Sequence, residues 1–188
     1  MPTNLVTASE YKEYKGITST SQDDQLDVII PAVSAMVKTI CRQSFVDYTV
    51  TSKEMIFDGG TDKFILEESP IIAVSSVEFS DDYGQNYVTL TQYTDYVVVP
   101  AQSAIKSISP SFNYALNGYR VTYTAGYETL PIDLKLAVFD LITYYLKNES
   151  QVNSTMGATA GSLQIEYIKS TSLPIHIRRV LDLYTDRY

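Results

Sequence analysis

The sequence predicts an α+β fold, a helical bundle formed by N- and C-terminal helices with an antiparallel β-subdomain inserted between them. Three observations carry that expectation. Apolar residues recur at helical spacing from Leu26 to Ile40, from Leu134 to Tyr145 and from Leu173 to Tyr184. Between the first two stretches, short β-type runs alternate with Gly, Pro and Asp turns. Finally, 188 residues suit one core, and one Cys with one His rules out an internal disulfide or a usual structural zinc site. The chain therefore reads as a single domain over 1–188. Residues 1–50 form a helical part, 51–128 a β-rich insert, and 129–188 a second helical part with a long loop at 148–172.

Taken in order, Thr7-x-x-Glu10 reads as a capping box opening a short helix that Gly16 ends. Ser21-x-x-Asp24 resembles a second cap, and the stripe Leu26, Ile29, Ile30, Val33, Met36, Val37, Ile40 predicts one helix to about Arg42. Pro31 lies inside it, where its missing amide predicts a bend. Phe57 to Phe64 reads as two β-type runs forming a hairpin around Gly59-Gly60. Strands are then expected at 71–79, 87–90, 96–99 and 104–108, with Pro70, Pro100 and Pro110 as breakers. Tyr119 to Ala125 is the clearest strand, with Tyr119, Val121, Tyr123 and Ala125 on its buried face. The β-segment as a whole suits one antiparallel sheet or a small barrel. Helices resume at Pro131 and run to Lys147, and a strand at 163–168 interrupts the following loop. The last helix is capped at Ser172-Leu-Pro174, with Leu173, Ile177, Val180, Leu181 and Tyr184 on its inner side.

The charge is uneven. Against 14 Lys+Arg stand 22 Asp+Glu, a net of −8, and residues 51–128 alone carry 4 basic and 10 acidic side chains. Phosphate neutralisation needs the reverse balance on some face, so tight or sequence-specific DNA binding is not expected. Apolar stretches are too short to span a membrane, and the N-terminus has no basic segment leading into an apolar core, so a reducing compartment is expected.

Most candidate chemistry reads as ordinary structure. Glu67-Glu68 and Asp81-Asp82 are expected to be solvated acids, and Asp58-Gly-Gly-Thr-Asp62 a turn rather than a calcium loop, since it lacks the ligand ladder. His176 has no nucleophile motif beside it, so a structural role is expected; a hydrolase using it with Ser172 or Asp182 is the weakest reading. Cys41 reads as a small buried hydrophobe, although Arg42 beside it would lower its pKa. The stretch Gly157 to Gly161 is not a phosphate-binding loop. The sequons at Asn148 and Asn153 lack an export signal. No catalytic residue, metal or cofactor is expected. Tyrosine does stand out, with 16 against 6 Phe. Some belong to the core, whereas Tyr83, Tyr167, Tyr184 and Tyr188 fall in turns or chain ends and point to contact with other proteins. The alternative is a Tyr-rich β-module binding a small ligand or glycan.

The order of segments is itself informative. Leu5 to Ile17 is followed by Asp23-Asp24-Gln-Leu26, Cys41-Arg-Gln-Ser-Phe45, Phe57-Asp-Gly59, Ser69-Pro-Ile71, Val121 to Tyr127, Leu130 to Ala137 and Leu173-Pro-Ile175. This co-linear set resembles the head-tail connector (adaptor, or head-completion) family of tailed bacteriophages. The resemblance implies a non-enzymatic virion protein at the head-tail junction, made in the host cytoplasm. It implies a homo-oligomeric ring, with twelve copies expected, under the portal protein. The ring would extend the DNA channel without binding DNA specifically, and would meet the next neck or tail protein, a stopper or tail terminator. Carried onto this chain, Arg178, Arg179, Tyr184, Arg187 and Tyr188 are candidates for portal contact. Gly157 and Gly161 bracket a candidate loop ordered on assembly. Glu78, Asp81 and Asp82 are candidate lumen acids.

Overall fold

The capping box at Thr7 closes as the sequence predicts. The Glu10 amide donates to Thr7 Oγ1 (3.2 Å), while the Glu10 carboxylate accepts the Thr7 amide (2.8 Å). Helix α1 (Ala8–Lys15) thus begins with both amides satisfied, and Gly16, at φ +65°, ends it in the left-handed region. The computed structural model describes residues 3–154 and 173–185 and, among them, four helices and two antiparallel sheets, a mixed α+β architecture. The chain divides into two compact units. Met1–Arg42 and Leu130–Tyr188 make one, and Gln43–Thr129 the other.

In the helical unit, α2 (Asp23–Cys41) runs through Pro31 as one helix. Leu26, Ile30, Val33, Val37 and Cys41, spaced four, three, four and four, are buried. The cap expected at Ser21 does not form. Gln22 holds the N-cap position without a side-chain bond, because the Ser21 amide and hydroxyl are engaged with Ser19 Oγ. Asp23, in the first turn, instead accepts from Lys12 Nζ at 2.7 Å. Helix α3 (Ile132–Ser154) and helix α4 (Ile175–Tyr184) complete the unit. Helix α2 packs on α1, α3 and α4, and α3 packs on α4. Between them lie Leu134, Val138, Leu141, Ile142, Ile177 and Leu181. Tyr11 reaches α3 twice, by its hydroxyl to Thr143 (3.1 Å) and edge-on to Phe139 (5.9 Å). Helix α3 is longer than expected. The first part of the stretch read as a loop from 148 continues it to Ser154, since no Gly or Pro intervenes after Lys147 until Gly157. The rest of that loop up to Ser172, including the strand expected at 163–168, lies outside the described residues.

The β unit contains β1 (Lys53–Phe57), β2 (Lys63–Ile65), β3 (Ile71–Phe79), β4 (Val88–Thr89), β5 (Tyr96–Val99), β6 (Ala104–Ser107) and β7 (Tyr119–Ala125). They form two sheets, β1-β7-β3-β4 and β2-β6-β5, rather than one sheet or a barrel. The hairpin expected around Gly59-Gly60 is absent, as β1 pairs with β7 and β2 with β6. The cause is local. The Gly59 and Gly60 amides donate to the Ala115 and Phe112 carbonyls (2.8 and 3.0 Å). A Cβ on Gly59 would overlap the Asn113 carbonyl. The chain therefore docks onto the 112–115 segment and leaves β1's sheet instead of turning back along it. Strand β7 alternates as predicted, with Tyr119, Val121, Tyr123 and Ala125 buried. The core lies between the sheets, where Phe64 stacks on Phe57 (4.8 Å) and Phe112 (4.1 Å) and packs against Tyr119 (5.0 Å).

Glu68 departs from the solvated acid that the sequence predicts, being 6% exposed. Its carboxylate accepts from the Ser44 amide and hydroxyl, both at 2.9 Å, and from Lys53 Nζ at 3.3 Å. Its amide donates to the Tyr123 hydroxyl (3.2 Å). Glu67 stays exposed, as expected, although its carboxylate accepts from the same Lys53 Nζ at 2.8 Å. The segment entering the unit is also held at Gly126, where φ is +109° and a Cβ would overlap the Phe45 carbonyl. That carbonyl accepts the Tyr127 amide at 2.7 Å.

Two substitutions test these anchors. Glu68→Ala strands the Ser44 amide and leaves Lys53 half-paired, and is expected to lower unfolding free energy by about 2–4 kcal/mol in urea titrations. Gly126→Ala combines a forbidden φ with a backbone clash and is expected to lower the melting temperature by at least as much as Glu68→Ala does.

Candidate functional site

The residues that the sequence offered for chemistry lie apart among the described residues. His176 lies on the exposed side of α4, Ser172 lies outside the described residues, and among the described residues no three His, Cys, Asp or Glu cluster to hold a metal. No described helix is long and apolar enough to cross a membrane. An open cleft between α1 and α2 is lined by Lys12, Glu13, Ile17 and Asp23, of which Lys12 and Asp23 are already ion-paired.

The residues proposed for partner contact separate into two groups on α4. Ile177 and Leu181 are buried against the helical unit. Tyr184 belongs with them, since its hydroxyl donates to Asp133 Oδ1 on α3 (2.6 Å) and the ring is turned toward its own unit. Arg178 and Arg179 are exposed. Arg187, Tyr188, Gly157 and Gly161 lie outside the described residues. The outer face of α4 is not simply polar. Ile175 and Leu183 are 68% and 73% exposed, and they flank Arg179 at i−4 and i+4. At 3.6 residues per turn these three form a stripe nearly opposite Ile177 and Leu181. The helix is thus apolar on two sides, one covered and one open. Sequence reading missed Ile175 and Leu183, although their spacing four residues either side of an arginine was visible.

The three candidate lumen acids differ. Glu78 is half-buried on β3 and accepts from Arg120 Nε at 2.6 Å, with the Arg120 guanidinium also lying over the Tyr87 ring (4.1 Å). Its charge is compensated. Asp82 organises a turn. It accepts from the Ser80 hydroxyl (2.5 Å), the Gln85 amide (3.0 Å) and the Asn86 amide (2.8 Å). These donors, the Ser80 hydroxyl foremost, hold its carboxyl far below the usual range. Asp81 is exposed. The acidity of the unit does not depend on these three. Residues 43–129 carry 4 basic and 11 acidic side chains, a net of −7, which leaves −1 for the helical unit.

Cys41 has no exposed surface, and its thiol donates to the Leu181 carbonyl at 3.7 Å. Burial, with the Asp182 charge adding to it, pushes the thiol up to about 11, against the lowering that Arg42 beside it would produce.

Comparison with known proteins gives a consistent picture. The family model described as "Head completion protein" matches residues 4–186. A "Head completion protein" of Escherichia phage T5 is 25% identical over 186 residues, covering 96% of this chain and 97% of the relative. Among solved structures, the chain is similar to one described as "Neck of empty GTA particle computed with C6 symmetry". There the TM-score is 0.63 at 16% identity, over 98% of this chain and 91% of the other. A second, "Neck of native GTA particle computed with C12 symmetry", gives a TM-score of 0.61 at 16% identity, over 100% and 97%. At that identity these two show the fold alone.

Cys41 supplies a check on the α2–α4 packing. Native protein is expected to resist alkylation by iodoacetamide at pH 8.5 at least a hundredfold more than urea-unfolded protein. Because the folded thiol titrates above its ordinary value near 9, its contribution is complete below that pH. Stability is then expected to fall, by about 3 kcal/mol at most, as pH rises from about 9 to 11.

Proposed function

We propose, from the premise that this chain belongs to the head completion protein family, as the match over residues 4–186 shows, that it is a structural head-tail adaptor. Identical copies form a ring under the portal of a phage-type capsid, extend the DNA channel and join the head to the neck and tail. The observation that carries this reading is the extent of the family match, supported by the phage T5 relative of nearly equal length. The protein is then a virion component of the head-tail junction, made in the host cytoplasm, with an architectural rather than catalytic role. In this reading the N- and C-terminal helices form the bundle that makes the ring's contacts, and the β part is inserted into it. Twelve copies is the number proposed, in line with the C12 symmetry in the description of one structural neighbour.

The electrostatics suit a conduit. A unit of net −7 repeated around an axis makes an acidic collar. Weak repulsion lets duplex DNA slide where a basic lining would hold it by phosphate contacts. The collar rests on that overall balance, since Glu78 is paired with Arg120, while Asp82 keeps its charge but spends its carboxylate on a turn held by neutral donors. For portal docking the outer face of α4 is the proposed contact, with Arg178 and Arg179 supplying charge, and Arg187 and Tyr188 following at the chain end. Tyr184 acts indirectly, by tying α4 to α3 through Asp133. The ligand-binding reading of the β unit is not favoured, given the family match.

Negative-stain imaging of the purified protein with and without its portal tests this reading. Rings co-axial with the portal are expected, and a protein that stays monomeric beside the portal would refute it. Arg178→Glu combined with Arg179→Glu is expected to leave the melting temperature within about 2 °C, because both side chains are exposed. Co-sedimentation with portal should weaken at least tenfold. Unchanged co-sedimentation would remove these two arginines from the contact.

A further inference from the structure

Three loops of the β unit are gathered at one end by hydrogen bonds to main-chain groups. Asp58 Oδ1 accepts the Asn117 amide (2.6 Å), the Phe112 amide donates to the Thr61 carbonyl (2.8 Å), and the Ser80 amide donates to the Gly118 carbonyl (2.7 Å). The Tyr87 hydroxyl also bonds the Asn117 carbonyl (3.2 Å). Together with the Gly59 and Gly60 bonds, these contacts tie 58–62 and 80–87 to 108–118. The turn at Asp82 fixes the backbone that carries Tyr83, whose φ is +63°.

On this fixed platform stand Tyr83 and Tyr114, 73% and 84% exposed, with Leu116 at 49%. The Tyr114 ring lies close to Gly60, where an added Cβ would stand 3.3 Å from it. The fold does not need these side chains, since the unit's core is made by Phe64, Tyr119 and their neighbours. The three loops also hold four acids, Asp58, Asp62, Asp81 and Asp82, and no Lys, Arg or His.

Rigid backbone carrying large exposed aromatics is the arrangement of an interface hot spot, because little ordering entropy remains to be lost on docking. The surrounding carboxylates set the partner's sign. We propose that this loop end is a protein-docking surface for a different polypeptide, one whose face offers an apolar pocket for Tyr83 and Tyr114 bordered by lysine or arginine. A second β unit of this chain, at net −7, is repelled, and a nucleic acid is repelled more strongly. This surface is separate from α4, so it goes beyond portal docking and rests on the adaptor reading only for the setting of its test.

The test is site-specific photo-crosslinking in assembled particles. A p-benzoylphenylalanine is placed at position 83, 114 or 179 in turn, and the cross-linked peptides are identified by mass spectrometry. Positions 83 and 114 are expected to label one virion protein other than this chain, at a segment with lysine or arginine next to apolar residues. The yield from position 114 should fall at least fivefold when Asp62→Lys and Asp81→Lys are added. Labelling of another copy of this chain, or of DNA, would overturn the inference, as would no product from 83 and 114 while 179 labels the portal. If 83 and 114 label the expected kind of segment but 179 labels nothing, the α4 assignment fails and this one stands. Particles with Tyr83→Asn and Tyr114→Ser are expected to contain the protein in normal amount but to lose the 83/114 partner at least tenfold. Normal retention of that partner would also overturn the inference.

Discussion

Much of the β unit depends on one buried carboxylate. Glu68 gathers four pieces of chain that are distant in sequence, namely the segment at Ser44, the start of β1 at Lys53, its own position after β2, and β7 at Tyr123. A buried charge is costly unless every lone pair finds a donor, and here an amide, a hydroxyl and an ammonium supply them. The result is geometric as much as energetic. An apolar residue there would fill space but would not direct the Ser44 amide and the Lys53 side chain to one point. With Gly126 allowing the Phe45 carbonyl to approach, it fixes where the chain enters and leaves the two sheets.

Local signals were legible in the sequence and long-range ones were not. The capping box at Thr7, the stop at Gly16, the continuous α2 stripe and the alternation of β7 are short-range patterns, and each is present where it was read. The Gly59-Gly60 turn misled because two glycines between β-type runs specify a change of direction, not a partner. The partner was set by carbonyls more than fifty residues later, at Phe112 and Ala115. Glu68 misled because its neighbours are assembled by the fold, and an adjacent acid pair looks the same whether one member is buried or neither is. The missed cap at Ser21 has the same origin, as a nearby serine competed for the groups that would have capped α2.

For the candidate surfaces, the sequence located α4, its arginines and its covered side at Ile177 and Leu181, but not the apolar residues on its open side. Tyr184 was grouped with the arginines by proximity to the chain end, although the helical stripe had also set it on the inner side, where its bond to Asp133 holds it. Ile175 and Leu183 were hidden by being ordinary helix residues, and only knowledge of which face is covered makes them conspicuous. The same holds for the acids. Glu78, Asp81 and Asp82 are alike on paper, yet one is neutralised by Arg120, one shapes a turn and one faces solvent.

The pairing of β1 with β7 also bears on how the polypeptide is born. Lys53 lies opposite Tyr123, and β1 is an edge strand with β7 as its neighbour. As the ribosome delivers the chain, β1 waits unpaired until nearly the whole middle segment has emerged, and the partners of α2 on α3 and α4 come later still. Closing such distant pairs is slow and exposes sticky edges meanwhile. The excess of acidic over basic side chains in that waiting stretch gives every copy the same sign of charge, which disfavours association between unfinished chains.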